Sequence, residues 1–155
     1  MTTSVSMEDQ LYINLMSDAS KNYFPENKPW DFTVMLVEPL TLQGRWFIGL
    51  TEVEYTRKRS DAPQPRQTAI YCDICKPSIT GDSKTSVLRY IPISRSKGRR
   101  VFHSPSSIVY LEVNKHSIDR IKISIKSADT SIEDLVELQP SRLSLHLVKC
   151  PPLVL

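Results

Sequence analysis

Ile121-Lys122-Ile123-Ser124-Ile125-Lys126 alternates strictly between isoleucine and a polar side chain. A strand turns successive side chains to opposite faces, so this stretch reads as a half-buried strand with its isoleucines against a core. Leu143-Ser144-Leu145-His146-Leu147 repeats the pattern, and by the same reading the His146 imidazole faces solvent or a subunit partner. Upstream, Leu11, Ile13 and Leu15 alternate with Tyr12 and Asn14, and Phe32, Val34 and Leu36 with Thr33 and Met35. Trp46, Ile48 and Leu50 form a fifth set whose phase slips by one before Val53 and Tyr55; a bulge near Gly49 to Glu52, or a strand covered on both faces, accounts for the slip.

Residues 69–76, 87–93 and 107–113 are rich in Ile, Val and Tyr and complete a set of eight strands. Breakers separate them at Gln43-Gly44, Pro63 and Pro65, Gly81-Asp82, Lys97-Gly98 and Pro105. The one helix candidate is 131–138, where Ser131 can cap a short turn against Asp134. Eight short strands with almost no helix predict an all-β chain, an eight-stranded antiparallel β-sandwich. Pattern alone leaves jelly-roll, immunoglobulin-like and C2-like topologies open.

A chain of 155 residues, 40% hydrophobic and 24% charged, is long enough for one domain with its own core. The expected division is a loose arm at 1–9, the sandwich at 10–150 and a short tail at 151–155. Three cysteines and no apolar leader point to a reducing compartment, and no run reaches the about 18 apolar residues of a membrane span. We therefore expect a soluble intracellular product that is not secreted.

Cys72-Asp73-Ile74-Cys75 has the spacing of zinc sites and thiol redox centres. On an extended strand, however, the two α-carbons lie roughly 10 Å apart and the thiols on opposite faces. That exceeds the ~7 Å reach of a disulfide, and no helix begins here to lower a thiol pKa. Cys150, His103, His116 and His146 make no second close pair, so no metal or other cofactor is expected. Cys72 reads as a small buried hydrophobe. The histidines are isolated, and no phosphate-cradling loop or nucleophile elbow appears among four glycines, so the chain is not expected to be an enzyme.

The net charge is +3 and the pI about 8.8. Arg57, Lys58, Arg59, Arg95, Lys97, Arg99 and Arg100 hold seven of the twenty basic residues. These clusters fit solvated loop charge, a contact with a neighbouring subunit, or a weak phosphate-contacting patch for nucleic acid. No aromatic side chain interleaves them, which disfavours a base-stacking platform.

The ordered set Asp18-Ala-Ser-Lys-Asn-Tyr23-Phe-Pro25-Glu-Asn27 and Phe32-Thr-Val-Met-Leu-Val-Glu-Pro39-Leu-Thr-Leu-Gln-Gly44-Arg-Trp46-Phe-Ile-Gly49-Leu-Thr-Glu-Val-Glu-Tyr55 resembles the penton-type minor capsid proteins of Polinton (Maverick) elements and adintoviruses. The resemblance continues through Tyr71-Cys-Asp73-Ile-Cys-Lys-Pro77-Ser-Ile-Thr-Gly81-Asp82, Ile118-Asp119-Arg-Ile121-Lys-Ile123 and Leu143-Ser-Leu-His146-Leu. It implies a single jelly roll, a homopentamer at icosahedral five-fold vertices beside a double-jelly-roll major capsid protein, and residence in a virion assembled inside the host cell, with no membrane partner. The alternatives are another single-jelly-roll capsid protein, trimeric or major, and a β-sandwich module that binds nucleic acid through its basic loops. No catalytic residue carries over. Thr56-Arg57-Lys58-Arg59 departs from the proline-aromatic turn of that family, and the short tail fits a vertex plug better than an attachment protein. Tyr71, Tyr90 and Tyr110 are candidates for lateral contacts.

Overall fold

A computed structural model describes residues 9–56, 67–92, 100–127 and 139–149. They are all-β, with antiparallel sheets. Eleven strands lie among the described residues: β1 (Gln10–Met16), β2 (Asp31–Thr41), β3 (Phe47–Thr56), β4 (Gln67–Cys72), β5 (Ser78–Thr80), β6 (Ser83–Thr85), β7 (Val87–Pro92), β8 (Arg100–His103), β9 (Leu111–Glu112), β10 (Ser117–Lys126) and β11 (Arg142–Val148).

One sheet runs β1-β11-β3-β8, with β9 also on β3; the other runs β2-β10-β4-β7, and β5 and β6 form a separate hairpin. The pairs β1 with β11, β2 with β10, β3 with β8 and β4 with β7 nest inside one another along the chain. The pairs β11 with β3 and β10 with β4 then join these into two sheets.

The core follows from the alternation. Ile118, Ile121, Ile123 and Ile125 of β10 are each at most 1% exposed, and they share one cluster with Phe32, Ile70 and Ile91 of the same sheet. Leu15, Ile48, Leu50, Val53, Tyr55, Leu143, Leu145 and Leu147 of the other sheet complete that cluster, an arrangement consistent with a β-sandwich. Each isoleucine fully withdrawn from water contributes about 1.5–3 kcal/mol before chain entropy is counted.

The phase slip in β3 is a bulge. Ser144 pairs with Glu52 and Leu145 with Leu50, leaving Thr51 as the extra residue. Because of it, Ile48 and Leu50 before the bulge and Val53 and Tyr55 after it all reach the core. A larger irregularity interrupts β2: Ile118 pairs with Leu40 but Arg120 with Met35, so residues 36–39 stand opposite Asp119 alone and Val37 is fully exposed.

Three expectations change. The strand expected over 69–76 ends at Cys72, where a turn closed by the Cys75 N–H on the Cys72 carbonyl (3.2 Å) folds Cys75 back; both thiols are buried, so they do not face opposite sides. The strand expected over 107–113 shrinks to Leu111 and Glu112, because the segment before it crosses over the outside of β3. Finally, β8 and the β5–β6 hairpin add strands to the expected eight. The helical turn expected at 131–138 lies outside the described residues.

The crossing depends on Gly49. A β-carbon there would overlap the Ile108 Cγ2 methyl and sit 3.1 Å from the Val109 carbonyl oxygen and 3.2 Å from Tyr110 Cδ1. A Gly49→Ala variant is therefore expected to lose about 1–3 kcal/mol, the usual cost of overpacking. The measurement is a urea midpoint that falls with an unchanged denaturant slope.

Candidate functional site

Of the seven basic residues singled out in the sequence, six (Arg57, Lys58, Arg59, Arg95, Lys97 and Arg99) lie outside the described residues. Arg100, the seventh, lies at the start of β8 and is engaged within the fold. It donates to Thr56 Oγ1 at 2.7 Å and to Glu54 Oε1 at 2.9 Å, on the strand it pairs with.

That pair belongs to a polar ladder across the outer face of the first sheet. Arg142 of β11 bonds Glu52 at 2.6 Å and Glu54 at 3.2 Å, both on β3. Asn14 of β1 accepts from Ser144 Oγ, and Thr56 reaches Gln139 at 3.3 Å. The bulge at Thr51 makes this possible, since it turns Glu52 and Glu54 outward toward Arg142. Hydrogen bonding from Arg100 is the main cause that holds the Glu54 carboxyl below the usual carboxylate range, and the Glu52 carboxylate raises the Arg142 guanidinium. All four charged groups are partly exposed, so these pairs set register more than they add stability.

At the other end of the same face, His146 points outward as its phase requires but is only 6% exposed, because side chains of its own chain cover it. Its ring stacks on Tyr12 at 4.4 Å and meets Tyr110 edge-on at 5.6 Å. Nε2 lies 2.8 Å from Gln10 Oε1 and Nδ1 2.7 Å from Tyr110 Oη. The Gln10 carbonyl oxygen accepts only, so Nε2 carries the proton and Nδ1 accepts from the Tyr110 hydroxyl, the neutral tautomer. Gly49 is the cross-strand partner of His146, and the space it leaves admits the segment that delivers Tyr110. The sequence marks His146 and Tyr110 separately, but nothing local in it pairs them. The one available signal is the glycine opposite an outward position.

The three tyrosines expected at lateral contacts differ in use. Tyr90 is 42% exposed, Tyr71 is half-buried under the Lys126 ammonium at 4.8 Å, and Tyr110 is committed to His146. A cleft of about 290 Å³ opens beside Trp46, lined by Arg45, Lys76, Glu112, Asn114, Lys115 and His116. Within it Glu112 takes an ion pair from Arg45 at 2.9 Å and another from Lys76 at 3.9 Å.

Burial pushes the Cys72 thiol far up and the Cys75 thiol up to about 11. Neither forms part of a group of three or more metal-ligating side chains among the described residues. No helix among those residues is long and apolar enough to cross a membrane.

The fold and this surface define an all-β protein with antiparallel sheets and an internally satisfied outer face. The chain matches no family model and no curated protein.

Two outcomes test this chemistry. Burial lowers both His146 and His103, the latter with help from the Arg89 charge. Below the ordinary histidine range the unfolded chain takes up protons that the native state resists, so stability falls as pH drops from 7.5 to 5. The melting temperature should fall by a few degrees over that range, and less in a His146→Gln variant, which retains a donor and an acceptor. For the thiols, a Cys150→Ser variant should show no rapid reaction of Cys72 and Cys75 with a disulfide reagent at pH 8 while native, and two equivalents after denaturation.

Proposed function

We propose that this chain is a structural protein of an icosahedral capsid, a penton-type minor capsid protein built as a single jelly roll and assembling as a homopentamer. The observation that carries the reading is the strand order. With the β5–β6 hairpin and the two-residue β9 set aside, the eight longer strands in chain order run 1-8-3-6 in one sheet and 2-7-4-5 in the other. This is the order that results when one long antiparallel hairpin of four nested pairs is rolled up, as in the two interleaved Greek keys of a jelly roll. Immunoglobulin-like sandwiches place strands A, B, E and D together, with C, F and G opposite, an order these pairings do not match.

The order supports the fold; the capsid role rests on the sequence resemblance together with it. A tile in a closed ring needs two unlike lateral surfaces, because a ring contact is heterologous. The two open sides of this sandwich are unlike, one flanked by β1 and β2 and the other by β7 and β8. In this reading the double-jelly-roll major capsid protein is the outer neighbour of the ring, and the basic loops serve subunit contacts.

Native mass spectrometry tests the ring. The expected result is a species of five times the 17.7 kDa chain. A three-fold mass favours a trimeric capsid tile, and a monomer across micromolar concentrations overturns the proposal.

A further inference from the structure

The turn that carries Cys72 and Cys75 delivers Lys76 to the cleft beside Trp46, and main-chain bonds hold that cleft in shape. Lys76 N–H donates to the Glu112 carbonyl, Val113 N–H to that of Trp46 and Asn114 N–H to that of Ile74, each at 2.8 Å. Asn114 Nδ2 adds bonds to the carbonyls of Asp73 at 3.2 Å and Cys75 at 3.4 Å. Segments 44–47, 74–76 and 112–116, distant in sequence, are thereby tied together before any ligand arrives, so little ordering cost is left for binding.

The charge in this cleft is uneven. Arg45, Lys76 and Lys115 line it against a single carboxylate, Glu112, which leaves an excess of two positive charges. Glu112 is already committed: Oε1 accepts from Arg45 Nε at 3.0 Å and Nη2 at 2.9 Å, and Oε2 lies 3.9 Å from Lys76 Nζ. Hydrogen bonding from Arg45 holds its carboxyl below the usual carboxylate range, so it stays ionised and keeps both cations in place. The Arg45 guanidinium also rests over the Phe47 ring at 5.3 Å, with the rest of its N–H fork left for a ligand. Lys115 enters none of the ion pairs among the described residues. The Lys149 stem crosses Gly44, its Cε 3.1 Å from where a β-carbon would stand, and brings a fourth ammonium to the rim. His116, with Nδ1 on the Leu42 carbonyl at 3.3 Å, completes that rim. Trp46 is 6% exposed and spends its indole N–H on the Gln43 carbonyl at 2.9 Å, so it offers an apolar wall. A low-dielectric wall beside charges of one sign concentrates their field in the cleft.

We infer that this cleft is a binding site for a phosphomonoester, a group that carries close to two negative charges near neutral pH. A carboxylate or a single phosphodiester brings one charge and leaves half the excess unmet. Separate lysines also suit a phosphate, since each acts as a point charge on its own oxygen. A carboxylate is best met by a guanidinium fork, and Glu112 already occupies that of Arg45. Every residue invoked belongs to one chain, so the site stands or falls independently of the ring.

An NMR titration of the isotope-labelled protein with inorganic phosphate tests it, at about pH 7.5, where phosphate is mostly dianionic. Chloride at equal ionic strength controls for screening, and acetate for carboxylate binding. We expect saturable shifts confined to the amides of 44–46, 76 and 112–116 and the Trp46 indole, with a dissociation constant of roughly 1 mM. Lys115→Gln and Lys76→Gln should each weaken binding about fivefold, and Lys84→Gln on the β5–β6 hairpin should leave it unchanged. Lys76 and Lys115 are both exposed, so their variants should keep the wild-type melting temperature. Shifts that never saturate, or that chloride reproduces, overturn the site, as do Lys115→Gln and Lys76→Gln variants that bind as the wild type does. Equally tight binding of acetate, or of a short DNA strand without a terminal phosphate, overturns the assignment to a phosphomonoester.

Discussion

Both sheets depend on strands that the chain delivers last. β11 sits between β1 and β3, and β10 between β2 and β4, so each sheet takes one of its two inner strands from the second half of the chain. Until residues 117–148 arrive, β1 and β2 lack their partner strands. Their apolar faces also lack the four isoleucines of β10 and the three leucines of β11 that cover them. Loop-closure entropy must be met before these pairings return any free energy, which makes such topologies cooperative and slow to form. It also explains why β10 and β11 show the cleanest alternation: every inward position on them meets buried neighbours, so none can be polar without an unsatisfied group.

The outer face of the first sheet shows how one inserted residue organises a surface. Without the bulge at Thr51, either the Ile48 and Leu50 pair or the Val53 and Tyr55 pair would face water. With it, both pairs are buried and Glu52 and Glu54 stand beside Arg142. A one-residue slip of β11 against β3 would turn Leu143, Leu145 and Leu147 outward and break the ladder at once. Partly exposed ion pairs are individually worth at most about 1 kcal/mol, so their value here lies in specifying register. Gly49 plays the complementary part at the other end of β3. By leaving out a side chain, it lets 108–110 lie on the sheet and cover His146.

The strands with strict alternation were legible because the signal and its cause are local. Each inward Ile or Leu of 121–125 and 143–147 sits where period two places it, and the slip in β3 marked its own bulge. What could not be read depended on segments distant in sequence. His146 looks outward by phase, and it is outward, yet Tyr12 and Tyr110 cover it from 134 and 36 residues away. The Cys72–Cys75 geometry differs from the extended one for another reason: Asp73 and Ile74 turn, with Asp73 Oδ1 accepting from the Lys122 N–H at 2.9 Å. Cys72 is nonetheless buried, as a cysteine that binds no metal usually is. β8 was missed because Arg100 and His103 mask a short strand whose partner, β3, recognises it through Glu54 and Thr56.

Edge treatment connects the fold to the proposed ring. A two-sheet sandwich leaves four edge strands, and a bare edge is a liability in a monomer because its main chain pairs with any extended segment it meets. Here the 17–30 connection could have covered either neighbouring edge, since it leaves β1 and enters β2. Its hydrogen-bonding side chains, Ser20 and Asn27, both serve β2, and only Ser17 turns toward the end of β11, where its hydroxyl accepts from the Ser141 N–H. Closing one edge and leaving its neighbour open gives the side of the sandwich a direction. Directional contacts are what the proposed heterologous ring requires, whereas two equally open edges would allow unlimited pairing and fibres.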